Sequence, residues 1–517
     1  MTNRHAPSLP LRFFLLAALL GAAGLAGAAD SPNCKYVNIG ELPLRFSGPS
    51  FQPVIEGGIN GGPATMLVDT GAERSALTMT AVDRLELAPQ FTGRHAEGIG
   101  GTSRIYSARV NNFTVGPTQS KSMSLDVLGD MARPPDFDAI VGADFLFQAD
   151  IEIALAEKKL RFFRPLDCNK DSFLAYWAND AVVVPLETNF GNSKNRLITV
   201  KLNGVEVDAL IDTGAARTTV FESAARKAGV APDHASSRSA GSAVGVGSDV
   251  VAQRSAVFAN FSIGGETIRD AEMLISRDTN GGGFQPGMLL GADFLRAHRL
   301  LFAMSQRKLY ITYLGGEVFE RDAKGIPAWL QQEADSGNPD ALLALAARYS
   351  TGRQVPRDAA RSFALLEQAA GKNHLPAMQA LADLQMRNRR YAEAAALYQR
   401  IIAARPERRR DWMMLYLARL NGGEGADAAA ELRQRLAADK KHAWPAPVGD
   451  FFTGSIDANG LLSAARADSD LAKPRTCDAK AYMIQLAAAK GDVTLARSMS
   501  AERTIECRPG ARPDVKQ

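Results

Sequence analysis

Leu67-Val68-Asp69-Thr70-Gly71-Ala72 recurs 143 positions later as Leu210-Ile211-Asp212-Thr213-Gly214-Ala215. In both copies two apolar residues lead into Asp-Thr-Gly-Ala, which reads as a strand delivering an acid, a hydroxyl and a residue without a side chain into a turn. One such turn constrains little. Two of them, one carboxylate in each, predict a duplicated domain whose halves share a site built on Asp69 and Asp212.

The repetition extends beyond the hexapeptide, as a duplication requires. Ala139-Ile140-Val141-Gly142-Ala143-Asp144-Phe145-Leu146 reappears as Met288-Leu289-Leu290-Gly291-Ala292-Asp293-Phe294-Leu295. Gly142 and Gly291 lie 149 positions apart, so the copies keep their order and differ by a short insertion. Between these landmarks stand Gly98-Ile99-Gly100-Gly101 in one copy and Gly245-Val246-Gly247 in the other. Each copy closes on a basic turn and an aromatic strand, Glu157 to Phe163 and Gln306 to Ile311. Residues 36–165 and 182–314 therefore read as two β-rich domains, with Pro165 to Asp180 as the linker. Leu197 to Val207 shows the local logic, two β-branched runs joined through Asn203-Gly204, a strong hairpin signal.

At 517 residues the chain has room for three or four domains. Its net charge of +4 gives no case for nucleic-acid binding. Arg4 and Arg12 flank the start of an apolar run from Phe13 to Leu25, and Ala26-Gly27-Ala28 has the small-x-small form of a cleavage site. Residues 1–28 are expected to be a signal peptide and the mature chain to be exported, periplasmic or secreted. A membrane anchor follows only if the leader stays uncleaved. Four cysteines in an exported chain can pair, and Cys34 with Cys168 and Cys477 with Cys507 is the simplest pairing. His5, His95, His234, His298, His374 and His442 are scattered without metal-ligand spacing, and no nucleotide-binding or nucleophile-elbow motif occurs. Neither a metal nor a cofactor is expected.

After Gly316 the composition turns to Ala, Leu, Arg and Glu at helical spacing. A unit opening at Asn338-Pro339-Asp340-Ala341 is echoed at Leu375-Pro376-Ala377, 36 positions on, which is a helical-hairpin repeat length. Residues 325–440 resemble tetratricopeptide repeats of the Sel type, and 441–517 are expected to add further helices. Such repeats offer a concave face for a protein partner.

The Asp-Thr-Gly-Ala phrases, the glycine-rich stretches and the late hydrophobic-hydrophobic-Gly resemble, in that order, the lobes of retroviral-type and pepsin-type aspartic proteases. Ala72 and Ala215 favour the retroviral type. The resemblance implies two mainly-β retropepsin-like acid-protease barrels in tandem, followed here by an all-α helical-repeat domain. It implies Asp69 and Asp212 as the catalytic pair, Thr70 and Thr213 in a hydroxyl network locking the two loops, and Gly71 and Gly214 where only a bare backbone fits. It further implies flaps around Gly98, Gly100, Gly101, Gly245 and Gly247, with Gly142 and Gly291 packed beneath the loops. Asp144 and Asp293 are expected to have a structural role at the short helices of Phe145 and Phe294, capping or pairing locally.

Two close carboxylates share a proton, so one serves as base and the other as acid in attacking a peptide bond with water. The expected function is that of an aspartic-type endopeptidase acting on peptide or protein substrate. The alternative is a catalytically silent peptide-binding scaffold. Each lobe can pair with its neighbour in the chain or with its twin in a second copy. A linker of about sixteen residues, at roughly 3.3 Å each, permits the former. The distances from Asp69 to Gly142, 73 positions, and from Asp212 to Gly291, 79 positions, exceed those of compact retroviral lobes and place insertions near the flaps.

Overall fold

The computed structural model describes residues 33–48, 50–132, 135–187, 196–279, 285–319, 325–468 and 471–507. The expected signal peptide, residues 1–28, lies outside them.

Two mainly-β domains stand in tandem before a helical region. In the first, strands Gln52–Ile59 and Gly62–Val68 form a hairpin through Asn60 and Gly61, whose φ angles are 53° and 82°. In the second, Leu197–Leu202 and Val205–Ile211 are joined through Asn203 and Gly204 at 51° and 83°. Two successive left-handed residues are what a tight hairpin turn demands, and Asn-Gly accepts them with the least strain. Each second strand buries every other residue, Ala64, Met66 and Val68 in one lobe and Val207, Ala209 and Ile211 in the other. Both then run into the Asp-Thr-Gly loop.

Each hairpin is the start of a sheet that curls back on itself. In the first lobe Gln52–Ile59 also pairs with the long strand Gly101–Val115, and in the second Leu197–Leu202 pairs with Val251–Ile263. The strand after the Asp-Thr-Gly loop and the strand before each late glycine complete the curl. Gly62–Val68 lies parallel to Ala139–Val141, and Val205–Ile211 parallel to Met288–Leu290.

A third sheet unites the lobes within one chain. Its six strands run in the order Lys35–Pro43, Lys159–Leu166, Asp150–Ala154, His298–Ala303, Lys308–Tyr313, Val182–Pro185, three from each lobe about a central seam. At that seam Ile151, Glu152 and Ile153 pair antiparallel with Phe302, Leu301 and Leu300. Glu152 is fully buried there and is bonded by Arg161 of its own lobe, by Arg299 of the other at 2.9 Å, and by the Tyr176 hydroxyl at 2.7 Å. A buried carboxylate survives only with such partners. Glu152→Gln keeps the shape but makes the bonds neutral, and is expected to lower unfolding stability by about 2 kcal/mol. Denaturant titration of parent and variant checks this, and equal midpoints would show that the network contributes no net stability.

The segment from Pro165 to Asp180 is no free tether. It begins inside strand Lys159–Leu166, and Cys168 is disulfide-bonded to Cys34. Leu174 and Ala175 are buried against Phe163, Leu301, Ala303 and Tyr310, covering one face of the shared sheet. Aromatic surface at Tyr176 and Trp177 is better placed against that sheet than in water. Trp177 Nε1 fixes the arrangement by donating to Thr312 Oγ1 at 3.0 Å.

The helical region starts at Ala328–Asp335 and continues through Pro339–Thr351, Ala359–Gly371, Leu375–Arg387, Tyr391–Ala404, Arg409–Asn421 and Gly425–Ala438, each packed on the next. Asn338 caps the second helix by accepting from the Asp340 and Ala341 amides, Pro339 occupies the first turn, and Gly352 ends it at φ 75°. These are ordinary start and stop devices. The last two helices, Ala472–Ala489 and Val493–Glu506, are tied by the Cys477–Cys507 disulfide. Leu330, Leu342 and Leu345 belong to the same continuous core as the β lobes. The helices are thus docked on the lobes, with Lys158 bonded to Glu333 at 2.6 Å. Among the described residues no helix is long and apolar enough to cross a membrane.

Candidate active site

The shared sheet brings the two Asp-Thr-Gly loops face to face. Thr70 N donates to Thr213 Oγ1 at 3.0 Å, and Thr213 N donates to Thr70 Oγ1 at 3.1 Å. Each hydroxyl then donates across the lobe boundary at 2.6 Å, Thr70 to the Ile211 carbonyl and Thr213 to the Val68 carbonyl. Both threonines are fully buried, so these bonds form away from competing water. Four crossed bonds fix the separation of the loops.

Within each loop the carboxylate is held the same way. Asp69 Oδ1 accepts from the Gly71 and Ala72 amides at 2.9 and 3.0 Å, and Asp212 Oδ1 accepts from the Gly214 and Ala215 amides at the same distances. The glycines are required by the partner lobe. A Cβ on Gly71 would fall 2.5 Å from Asp212 Cγ, and one on Gly214 would fall 2.6 Å from Asp69 Cγ.

Each carboxyl therefore lies against the opposite loop, and the two groups act on each other. Burial is the largest influence on both and raises each above the usual carboxylate range, against the amide donors that lower them. For Asp212 the charge on Asp69 adds to the rise. The physical outcome belongs to the pair: the second ionisation places two like charges in one poorly solvated space, so the pair holds a proton well above the pH at which a free carboxyl loses it. Each side chain still keeps part of its surface accessible.

Gly142 and Gly291 lie under the loops. A Cβ at either would meet backbone, the Arg74 carbonyl carbon at 2.7 Å or that of Arg217 at 2.6 Å. Asp144 and Asp293 each pair within their own lobe. The short helices begin at Ala143 and Ala292 with the glycines at the cap position, and of the two acids Asp293 also accepts from a first-turn amide, that of Phe294, at 3.0 Å. Asp144 Oδ1 accepts from Ser75 N and Oγ at 2.8 and 2.7 Å, and Asp293 Oδ1 accepts from Thr218 N and Oγ1 at the same two distances. Those hydroxyls in turn accept from the Gly142 and Gly291 amides. Ser75 and Thr218, six positions after Asp69 and Asp212, each offer two donors at once, the amide and the hydroxyl.

The glycine-rich stretches meet each other. Gly98 and Gly101 flank the turn of hairpin Gln90–Gly98 with Gly101–Val115, and Gly245 and Gly247 lie between strands Arg238–Ala243 and Val251–Ile263 of the other lobe. Gly100 N donates to the Val246 carbonyl at 3.0 Å, and Asp249 N donates to the Gly100 carbonyl at 2.9 Å. Gly247, at φ 100°, donates to the Asp130 carbonyl at 3.0 Å, and a Cβ there would fall 2.2 Å from the Gly100 oxygen. Two backbones crossing this closely leave no room for side chains. Val246 packs beside Ala72, Met131 and Ala96 on an apolar cluster of the first lobe.

One contact had no signal in the repeat. Gln52, from the first lobe, donates its Nε2 to the Gly214 carbonyl of the second lobe's loop at 2.7 Å. Glutamine at the first position of a strand is unremarkable as sequence, and only the closure of the lobes gives it a role. Among the described residues the histidines stay outside the site, and His298 is buried between the Phe294 carbonyl and Glu266.

Residues 55–145 and 198–294 match the family model described as aspartyl protease. Among solved structures the aspartic proteinase from Irpex lacteus is similar, 11% identical, covering 53% of this chain and 97% of that chain with a TM-score of 0.34. No curated protein matches the chain. The aspartyl protease family model thus matches twice in tandem, once in each of the two β lobes whose repeated loops face each other.

Proposed function

We propose that this chain is an aspartic-type endopeptidase that hydrolyses peptide bonds in exported or extracellular surroundings, with Asp69 and Asp212 as its catalytic pair. The observation that supports the reading is geometric: one carboxyl from each lobe is set beside the other's loop, so that a Cβ on Gly71 would fall 2.5 Å from Asp212 Cγ and one on Gly214 2.6 Å from Asp69 Cγ. A peptide carbonyl above the pair receives the pair's proton while the ionised carboxylate takes one from a water, whose oxygen adds to the carbonyl carbon. The tetrahedral product then collapses, the C–N bond breaks and the amine leaves with a proton returned through the pair. The pair ends with the one proton it began with. The amides of Gly71, Ala72, Gly214 and Ala215 hold the carboxylates in place during both transfers.

The crossed tips at Gly100 and Gly247 serve in this reading as flaps that part to admit a substrate segment and close to exclude water. The helical pairs supply a surface for a protein partner or a long substrate. Two disulfides support export, since such bonds persist in oxidising compartments.

The test is cleavage of unstructured peptides by the purified mature chain from pH 3 to 8. The kcat/KM profile is expected to be bell-shaped, rising as the pair loses its first proton and falling as it loses its second. Because burial raises both groups, the falling limb should lie well above the usual carboxylate range of about 4. Tight peptide binding without cleavage at any pH would favour a silent scaffold instead.

A further inference from the structure

We propose that Gln52 is a positioning residue for the carboxylate pair and that the helical region holds it in place. The inference rests on the endopeptidase reading.

Gln52 donates to the carbonyl end of one peptide unit, Gly214 to Ala215. The amide end of that same unit is the Ala215 N–H, which donates to Asp212 Oδ1 at 3.0 Å. A donor on the carbonyl draws electron density through the conjugated unit and makes its N–H a stronger donor in turn. The side chain of a first-lobe residue thereby reaches the second-lobe carboxylate through one rigid plane. It also fixes the plane's orientation, and with it the direction from which the N–H approaches Asp212.

Gln52 is held by what happens one residue earlier. Phe51 has φ +51°, in the left-handed region that a bulky side chain seldom occupies, and it is almost wholly buried. Such a conformation persists only where the surroundings over-determine it. Here they do, from two other parts of the chain. Arg296, just past the short helix beneath the second catalytic loop, donates to the Phe51 carbonyl at 3.1 Å. Trp329, in the first helix of the helical region, meets the Phe51 ring edge-on with centroids 5.1 Å apart. The Arg296 guanidinium lies over that indole, 4.0 Å from its centroid, and over the Phe46 ring at 5.4 Å. Tryptophan is the best face for such a cation. The helical region therefore closes a stack of Trp329, Arg296 and Phe51, whose last member sets the backbone from which Gln52 projects.

This predicts that an alteration in the helical region changes catalysis without touching the pair. The experiment compares the full mature chain with Gln52→Leu, Gln52→Arg and Trp329→Leu, reading kcat, KM and the pH profile on one peptide. Gln52→Leu is expected to lower kcat about tenfold, with KM within about twofold. It should also move the acidic limb to higher pH, because a weaker donor to the ionised carboxylate favours its protonated form. Gln52→Arg, which restores a donor, should recover most of the kcat. Trp329→Leu should move kcat and the acidic limb in the same directions as Gln52→Leu, by about threefold in kcat. A merely structural loss would lower the thermal midpoint and leave the acidic limb in place. Parental kcat and acidic limb in Gln52→Leu overturn the role of Gln52. A slowed Gln52→Leu beside a parental Trp329→Leu overturns the part assigned to the helical region. Failure of the parent chain to cleave would instead defeat the endopeptidase reading, with this inference falling alongside it.

Discussion

Asp212→Asn is expected to reduce peptide cleavage by roughly a thousandfold or more and, at neutral pH, to raise the thermal midpoint. Loss of activity follows from chemistry, because an amide neither shares the proton nor returns it, and a positioned acid–base group contributes about 10²–10⁴-fold. The gain in stability follows from burial. Asp212 is pushed well above its ordinary range, first by desolvation and then by the charge on Asp69. Above the unfolded value of about 3.9 the unfolded chain gives up this proton while the native state still holds it. The native state then binds more protons, so stability falls as pH rises from there through the folded value. Asparagine has no such loss, and its Oδ1 still accepts from Gly214 and Ala215. Thermal unfolding of parent and variant from pH 3 to 8 should show midpoints that converge in acid and separate toward neutrality. Residual cleavage within tenfold of the parent, or a variant destabilised equally at every pH, would remove Asp212 from the role assigned to it.

Thr213→Val should both slow the enzyme and weaken the union of the lobes. Valine has nearly the same shape but removes the donor to the Val68 carbonyl and the acceptor for the Thr70 amide. Both partners are left inside a fully buried contact, and each unsatisfied group costs about 1–3 kcal/mol. A loss of about 2–5 kcal/mol is expected on denaturant unfolding. Cleavage should fall by about a hundredfold, because a shift of about an ångström between the loops misplaces both carboxyls. Wild-type stability together with wild-type kcat would mean that the shared sheet alone sets the separation of the loops.

The most legible part of this protein is the part that had to be built twice. Asp69 with Asp212, Gly71 with Gly214 and Gly142 with Gly291 each serve a geometric need in both lobes, so the sequence repeats them and the repeat exposes them. Asn203-Gly204 was equally readable, because a tight hairpin turn admits few residues. What escaped notice was asymmetric or long-range. Glu152 and Arg299 are ordinary strand residues until the two lobes set them 2.9 Å apart. Leu174 and Ala175 sit in a stretch whose composition suggests a linker, yet a sheet face waits for them. Asp144 and Asp293 carry the local signature of a cap, and their partners Ser75 and Thr218 lie 69 and 75 residues away. Local propensity has no access to bonds of that span.

The seam of the six-stranded sheet also sets an order of events in time. Phe302 follows its partner Ile151 by 151 positions, and at about 5–20 residues per second a ribosome needs roughly 8 to 30 s to cover them. Until then strand Asp150–Ala154, buried at all five positions in the finished protein, presents an open edge that carries two acidic side chains, Asp150 and Glu152. When the first lobe is complete, Asp69 still lacks the carboxyl that will come to stand beside its loop.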